Sequence, residues 1–213
     1  MTGRFITFEG IDGAGKSTHL PACAQLLREH AIAVVTTREP GGTELAELVR
    51  DWFLHQPTDP QTEALLAFAA RSDHLARSIR PALADGQWVL CDRFTDSTVA
   101  YQGGGRGIGV ARVEQLEQWL HPDLQPDRTY LFDLPAEEAA RRRAEARAAD
   151  RFESQDVAFF ERVREAYRSR AAADDRRLGA GPGRIVVIDA SQSPADVWRI
   201  LKEDLLTCCK NWK

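Results

Sequence analysis

The chain has 213 residues, of which 43% are hydrophobic, and its 28 Lys and Arg residues are outnumbered by 32 Asp and Glu residues. This length suits one globular domain with a substantial core. The net charge of −4 argues against a partner that is a nucleic acid polymer, because such proteins carry a basic patch that neutralises phosphates. We expect a cytoplasmic protein, because we find neither a signal-peptide pattern nor an apolar run of the roughly 18 to 20 residues that a membrane helix needs.

The cysteine pattern also favours a reducing compartment. Two of the four cysteines are adjacent and the others lie in apolar segments, which fits neither a metal site nor a disulfide framework. We therefore expect free thiols, and we assign no redox role to the adjacent pair. The four are Cys23, Cys91, Cys208 and Cys209.

Strand and helix patterns alternate along the chain. Short apolar runs predict strands buried on both faces at Arg4–Glu9, Ala33–Arg38, Trp88–Asp92, Thr129–Leu134 and Arg184–Asp189. Periodicity of 3.6 residues predicts helices at Lys16–His30, Thr43–His55, Thr62–Ala84, Val110–Leu120, Ala136–Ala148, Val157–Ala173 and Pro194–Leu205. This alternation predicts an α/β fold with a five-stranded parallel sheet between helices, in a single domain over residues 1–213.

Glycine and serine mark the boundaries of several elements. Ser193 before Pro194 predicts the N-cap and first turn of the last helix. The glycine-rich stretches Gln102–Gly109 and Leu178–Arg184 predict a loop between helices and a turn into the last strand.

The stretch "FEGIDGAGKSTHL" places a glycine-rich turn between the first strand and the first helix. Gly10 to Ser17 match G-x-x-x-x-G-K-[ST] in the strand–turn–helix context that this phosphate-binding motif requires. Glycines let backbone N–H groups turn towards an anion, and the helix N-terminus favours negative charge. We expect a nucleoside triphosphate to bind Gly10, Ile11, Asp12, Gly13, Ala14, Gly15, Lys16, Ser17 and Thr18, with Lys16 on the β- and γ-phosphates.

The third strand ends in an acid followed by an arginine. Asp92 at a strand end, together with the Ser17 hydroxyl, is the arrangement by which P-loop proteins hold Mg²⁺. An acid here can equally be a helix cap or a turn former. Arg93 favours the functional interpretation, since a guanidinium beside the phosphate site can bind a second phosphate.

Several arginines indicate a phosphorylated acceptor rather than water. In an open parallel sheet the carboxyl ends of strands meet at the ligand crevice, so Arg38 and Arg93 should lie near the P-loop, with Arg50 and Arg71 on the intervening helices. An acceptor that is already a phosphate needs no strong general base. The five histidines of the sequence form no nucleophile or metal constellation.

A basic segment around residues 140–155 is a candidate lid. Arg143, Arg147 and Arg151 are spaced at i, i+4 and i+8, so on a helix they share one face. The alternative is a solvated helix with ion pairs Glu137–Arg141 and Glu138–Arg142. We favour a mobile lid that excludes water and supplies an arginine, because the variable P-loop positions contain none.

Five segments together resemble the bacterial thymidylate kinases, over nearly the whole chain. They are "FEGIDGAGKST" (Phe8 to Thr18), "TREPGGT" (Thr37 to Thr43), "AFAARSDH" (Ala67 to His74), "DRFTDSTVAYQGGGRG" (Asp92 to Gly107) and "DRFE" (Asp150 to Glu153). The resemblance implies the three-layer P-loop NTPase fold and phosphorylation of dTMP to dTDP with ATP and Mg²⁺. It also implies a homodimer.

The resemblance assigns site residues as well. It implies catalytic roles for Asp12, Lys16, Arg93, Arg147 and Arg151. It implies dTMP contacts for Glu39, Arg50, Phe68, Arg71, Arg93, Ser97, Thr98, Tyr101 and Gln102. Among these, Phe68 would stack on thymine and Tyr101 would disfavour a 2′-hydroxyl. Phe68 precedes Arg71 by three residues, whereas several family members have the aromatic residue four positions before the arginine.

Two other interpretations stay open. The first is a related kinase for another nucleoside monophosphate, such as dUMP or CMP. The second is a nucleotide-dependent binding module without phosphoryl transfer, which the acceptor-side arginines disfavour because a switch needs no second anion site.

Overall fold

A computed structural model of the protein describes residues 3–146, 155–177 and 183–212. It contains five parallel strands: β1 (Phe5–Glu9), β2 (Val34–Arg38), β3 (Trp88–Asp92), β4 (Arg128–Asp133) and β5 (Ile185–Asp189). Their order in the sheet is β2-β3-β1-β4-β5. The predicted α/β fold with a five-stranded parallel sheet is confirmed.

Helices follow each strand and cover the sheet. They are α1 (Lys16–Glu29), α2 (Glu44–His55), α3 (Pro60–His74), α4 (Arg80–Ala84), α5 (Thr95–Thr98), α6 (Val110–Leu120), α7 (Ala136–Ala146), α8 (Val157–Arg177) and α9 (Pro194–Asn211). A π-helical turn, Leu75–Ile79, joins α3 to α4, so the long predicted third helix is continuous but not regular. Ser193 caps α9 by accepting a hydrogen bond from the backbone N–H of Asp196, as predicted.

The core lies on both faces of the central strand. Side chains alternate along a strand, so Ile6 and Phe8 of β1 belong to a large cluster with α1, α7, α8 and α9, whereas Phe5 belongs to a second cluster with Leu75 and Ile79. Glu9 is on the same face as Phe5 and is buried. The Glu9 side chain therefore lies below the segment that follows β3.

The segment Gln102–Gly109 was predicted as a loop, and this prediction was wrong for its first part. A π-helical segment, Val99–Gly105, continues directly from α5. A Cβ atom at Gly104 would lie 2.6 Å from the Ala166 Cβ atom, and one at Gly105 would lie 2.6 Å from the Val163 side chain. The glycines therefore allow close packing against α8, and this tertiary contact outweighs their low helix propensity.

The strand order positions the candidate site. β1 lies between β3 and β4. After β1 the chain forms β2 and β3 on one side of it and then β4 and β5 on the other side. Ligands bind in such sheets at the carboxyl ends of the strands beside this switch point. The P-loop follows β1, and Asp92 and Arg93 follow β3, at the same edge.

The four cysteines are free and buried, as expected. None of the helices in the described part of the chain combines the length and the apolar composition needed to cross a membrane.

Candidate active site

The P-loop is held in its anion-binding shape by glycines with positive φ angles. Gly10 has φ +130° and packs against the Phe132 carbonyl. Gly13 has φ +89°, and a Cβ atom at this position would lie only 2.7 Å from the Ala139 carbonyl oxygen. A side chain at either position would meet both backbone strain and a steric clash. The glycines thus permit the backbone conformation of the loop and also allow α7 to pack against it.

Lys16 lies within the loop that it is predicted to serve. Its Nζ donates hydrogen bonds to the carbonyl oxygens of Gly10 at 2.8 Å and of Ile11 at 3.0 Å, and only 6% of the residue is exposed. Burial, followed by repulsion from Arg93, lowers the pKa of Lys16 from 10.5 to about 8. A bound polyphosphate would supply the negative charge that favours the protonated form.

Ser17 and Asp92 line the same cavity as Lys16. The Oδ1 atom of Asp92 is buried and has no hydrogen-bond partner among the described residues, and an unpaired buried carboxylate oxygen is costly unless it meets a ligand. A hydroxyl and a carboxylate suit Mg²⁺, which is usually held by one or two protein groups together with substrate phosphates. The described residues contain no cluster of three or more His, Cys, Asp or Glu side chains that could hold a metal ion.

Arg93 is at the centre of the site and has a strained backbone. Its φ angle is +69°, a conformation that a non-glycine residue adopts at a cost of about 1 to 3 kcal/mol. The guanidinium donates hydrogen bonds to the Gly10 carbonyl (2.9 Å), Ser97 Oγ (3.1 Å), Tyr167 OH (3.2 Å), Asp12 Oδ1 (2.6 Å) and Tyr101 OH (3.2 Å). These contacts fix the guanidinium between the P-loop and the segment after β3.

Asp12 is the acidic partner of Arg93. Its second oxygen accepts a hydrogen bond from Tyr101 OH at 2.9 Å. Burial alone would raise the pKa of Asp12, but Arg93 and Lys16 outweigh it and hold the pKa below its ordinary value. The carboxylate is therefore charged and tied to the arginine predicted to bind the acceptor phosphate.

Glu9 supports this cluster from beneath, and sequence reasoning missed it. The carboxylate accepts hydrogen bonds from the Phe94 N–H at 2.7 Å, from Ser97 Oγ at 2.5 Å and from Tyr167 OH at 3.0 Å. Burial and the nearby Asp96 carboxylate raise the pKa of Glu9 to about 7, against the opposing effects of Ser97 and Arg93. Because Ser97 and Tyr167 donate to Glu9, their oxygens are oriented to accept from Arg93.

A second cavity adjoins Arg93 and Asp12. Its lining combines arginines, hydroxyls and apolar side chains. The lining residues are Asp12, Glu39, Pro40, Arg50, Phe53, Leu54, Ala67, Arg71, Arg93, Phe94, Ser97, Thr98, Tyr101 and Gln102. The structure therefore brings together eight of the nine residues predicted to bind the acceptor nucleotide.

Arg71 is fixed at the floor of this cavity. Its Nε donates to Glu39 Oε2 at 2.7 Å and its Nη2 donates to Thr98 Oγ1 at 2.9 Å. Glu39 is in turn held by His74 Nδ1 at 2.9 Å. The remaining nitrogen, Nη1, is buried without a hydrogen-bond partner among the described residues, which leaves one donor for a ligand.

Phe68 is the predicted residue that the structure does not bring to the cavity. It is 4% exposed and packs with Val99 and Val113, while its ring lies 4.8 Å from the Arg71 guanidinium carbon. The cavity is lined by Ala67 instead, because the residue four positions before Arg71 lies almost directly below it on the helix. Phe68 is therefore absent from the lining of this cavity, whose aromatic side chains are Phe53, Phe94 and Tyr101, and base stacking by Phe68 stays a prediction.

Arg38 lines the P-loop cavity together with Arg93, as the sheet-edge reasoning predicted, and Arg50 of α2 lines it as well. Arg38 is paired with Glu47 at 2.9 Å. Arg50 donates a hydrogen bond to the Pro40 carbonyl at 3.1 Å and lines both cavities.

The basic segment is described only at its beginning. Arg143 donates a hydrogen bond to the Asp12 carbonyl at 2.7 Å, and its guanidinium carbon lies 4.0 Å from the Phe160 ring centroid. Of the predicted ion pairs, Glu138–Arg142 is present at 3.0 Å. Arg147 and Arg151 lie outside the described residues.

Most residues that sequence reasoning missed act through long-range contacts. Tyr167 was assigned to the core from its helical spacing, and it is buried there, but its hydroxyl reaches Arg93. The signal for Glu9 was available, since an acid in the strand before the P-loop interrupts an otherwise apolar run. No local pattern distinguishes Phe53 from other apolar residues of an amphipathic helix.

The two cavities share Asp12, Glu39, Arg50 and Arg93. One side presents a P-loop with a lysine, a serine hydroxyl and the Asp92 carboxylate. The other side presents fixed arginines, a buried donor and aromatic walls. Such an arrangement can hold a polyphosphate and a second anionic molecule end to end and can transfer a phosphoryl group between them.

Comparisons with known proteins agree with this geometry. A family model described as "Thymidylate kinase" matches residues 8–199. The chain is 55% identical over 197 residues to "Thymidylate kinase" from Bordetella pertussis, covering 92% of this chain and 91% of that protein. It is 54% identical over 207 residues to the protein of that name from Ralstonia nicotianae (95% and 98% covered), and 54% identical over 209 residues to that from Cupriavidus necator (97% and 100% covered).

Proposed function

Because this chain belongs to the thymidylate kinase family, we propose that it phosphorylates dTMP to dTDP by transferring the γ-phosphoryl group of Mg-ATP directly to the dTMP phosphate. The observation that carries this proposal is the pair of cavities joined at Arg93 and Asp12. A switch or binding module has no need of the second cavity. The reaction would contribute to dTTP synthesis, and the reducing conditions that suit four free thiols favour the cytoplasm.

The donor nucleotide would bind the P-loop. Backbone N–H groups of residues 10–18 would surround the phosphates, and Lys16 would leave its carbonyl partners for the β- and γ-phosphates. Mg²⁺ would be held at Ser17 and Asp92, and when bound it neutralises the charge of the phosphate oxygens. The unpaired Asp92 Oδ1 atom supports this assignment.

The acceptor nucleotide would occupy the second cavity. Arg93 and Arg50 would bind its phosphate, and transfer would proceed without a general base, since the attacking oxygen is already anionic at neutral pH. Asp12 would hold Arg93 in place while the phosphate enters. Tyr101, whose ring lies 5.0 Å from the Arg93 guanidinium carbon, would lie under the sugar and disfavour a 2′-hydroxyl.

Base recognition would use the floor of that cavity. Arg71 has one free donor for a carbonyl group of the base, and Thr98 and Gln102 lie beside it. Phe53 and Phe94 would supply the apolar contact expected at first from Phe68. Glu39 would act indirectly, because its carboxylate is engaged by Arg71 and His74.

The reaction and its substrate can be tested in one assay. ATP-dependent phosphorylation of dTMP, dUMP, dCMP, AMP and GMP is measured in parallel at catalytic enzyme concentration. We expect dTMP to be the preferred acceptor. Efficient turnover of another monophosphate with negligible dTMP activity would overturn the substrate assignment, and nucleotide binding without any transfer would favour the binding module.

We also propose that Arg147 and Arg151 act from a lid over the donor phosphates. Arg143 supports this proposal, because it precedes them at helical spacing and already contacts the P-loop backbone. Arg147→Ala and Arg151→Ala should lower kcat strongly with little change in ATP affinity. The exposed Arg199, paired only loosely with Glu203 at 3.8 Å, offers the control Arg199→Ala. Wild-type kcat in both lid variants would favour the alternative interpretation, in which the segment is a solvated charged helix.

A homodimer completes the proposal. Large apolar side chains are exposed on neighbouring helices: Leu45, Leu48 and Trp52 on α2, Leu65 on α3 and Trp119 on α6. Trp119 is 79% exposed and lines one surface groove with Leu65, as expected for a face that a second copy covers. Light scattering should report a dimer that Leu65→Glu with Trp119→Glu dissociates, whereas Val187→Glu on β5 should not. A wild-type protein that is monomeric at micromolar concentration would refute this proposal.

A further inference from the structure

Glu63 is a buried acid that the reaction outlined above does not use. It lies on α3 and is 0% exposed. Its Oε2 atom accepts hydrogen bonds from Gln102 Nε2 at 3.3 Å and from Arg106 Nε at 3.2 Å. The ion pair with Arg106 compensates the buried charge, so the carboxylate can serve as a fixed acceptor next to Gln102.

This contact determines the orientation of the Gln102 amide. A carboxylate can only accept hydrogen bonds, so the NH₂ end of the amide must face Glu63, and the reverse orientation would place two oxygens against each other. Gln102 is buried and lines the acceptor cavity. The end of its amide that is left for a ligand is therefore the carbonyl oxygen, an acceptor.

Arg71 offers a hydrogen-bond donor to the same cavity in which Gln102 offers an acceptor. Its Nε and Nη2 are used by Glu39 and Thr98, and Nη1 is a buried donor without a partner in the described part of the chain. Arg71 and Gln102 thus offer a donor nitrogen and an acceptor oxygen to the cavity. With Arg71 facing position 4 of the base and Gln102 facing N3, a pyrimidine with a 4-oxo group and an N3–H satisfies both protein groups. In the same pose cytosine, with a 4-amino group and an unprotonated N3, satisfies neither.

We propose that Glu63 is a positioning residue that sets base specificity: by holding the NH₂ end of Gln102, it makes the site select 4-oxo over 4-amino pyrimidine monophosphates. This inference rests on the proposed function, because it concerns the acceptor cavity of that reaction. Glu63 touches no substrate in this scheme and acts through Gln102.

The test compares kcat/KM for dTMP and dCMP in wild type, Glu63→Gln, Gln102→Leu and the double variant. A glutamine at position 63 can pair with either orientation of Gln102, so the dTMP-to-dCMP ratio should fall about tenfold or more in Glu63→Gln. In the Gln102→Leu background the same change should leave the ratio unaltered. Glu114→Gln, an acid paired with Arg170 away from the cavity, is the matched control and should keep the wild-type ratio.

A ratio that is unchanged in Glu63→Gln while Gln102→Leu lowers it would overturn the inference. An equal fall in both backgrounds would also overturn it, since Glu63 would then act on stability or on another group. Should Glu63→Gln fail to fold, Glu63→Asp provides the same comparison, because it keeps the charge and withdraws the acceptor by one methylene. Absence of dTMP turnover in wild type would instead count against the proposed function.

Discussion

Lys16→Met should separate catalysis from stability. Lys16 is nearly fully buried, and its lowered pKa reports that burial, together with repulsion from Arg93, outweighs the attraction of the nearby carboxylates. Methionine fills similar space without a charge. We therefore expect a variant that has no kinase activity and yet, in the absence of nucleotide near neutral pH, resists unfolding better than wild type.

The magnitude follows from the pKa of Lys16. It falls from 10.5 to about 8, and at about 1.4 kcal/mol per pH unit the buried charge costs roughly 3 kcal/mol at neutral pH. Methionine loses the two hydrogen bonds to Gly10 and Ile11, worth about 1 kcal/mol each. The variant should thus be about 1 kcal/mol more stable than wild type near pH 7.

The sign changes with pH. Because the folded-state pKa lies below the unfolded value, the stability that Lys16 contributes is fully present only above about pH 10.5 and is lost as pH falls through about 8. Between about pH 7 and 10, wild type should therefore gain roughly 2 to 3 kcal/mol relative to Lys16→Met and become the more stable protein.

Urea denaturation of both proteins at a series of pH values gives this difference directly. Groups that titrate in both proteins, such as the cysteines, cancel in the comparison. Lys202→Met is the matched control, since Lys202 is exposed and lies on α9. A wild-type-minus-variant difference for Lys16 that stays constant from about pH 7 to 10 would refute the reasoning.

Three further predictions concern stability. Glu9→Gln should remove one pH dependence of the folding stability. The raised pKa of Glu9 makes its stabilising contribution greatest below about pH 4.5, and this contribution is lost as the pH rises through about 7. The stability difference between wild type and variant, measured by denaturant titration, should therefore change across that window. Gly104→Ala should lower stability by about 1 to 3 kcal/mol in thermal unfolding, because the new Cβ atom would overlap Ala166; unchanged stability would contradict the packing explanation for the helical glycines. Ser193→Ala should cost about 1 kcal/mol by removing the α9 cap, with kcat unaltered.

Local patterns in the sequence were sufficient for the architecture, the P-loop, Asp92 and the arginines, whereas the other residues of the second cavity were expected from the family resemblance. All five strands were predicted to within one residue at each end. The prediction of burial on both faces holds for β1, β3 and β4. It was wrong for β2 and β5, which are partly exposed because each lies at an edge of the sheet. The P-loop and Arg93 were predictable because a motif and a strand end place them at the same sheet edge. The glycine-rich π-helical segment was not predictable, since contacts with α8 outweigh its propensity.

The sequence by itself determined which kinds of groups the site contains: a glycine-rich anion loop, a lysine, a strand-end acid and a set of arginines. Only the tertiary structure decided how these groups are aimed. It turned Phe68 into the core and Ala67 to the cavity, brought Glu9 and Tyr167 to Arg93 from distant elements, and placed Glu63 behind Gln102. Spacing along one chain encodes faces of single helices and strands, whereas hydrogen-bond orientation depends on partners that meet only when those elements pack.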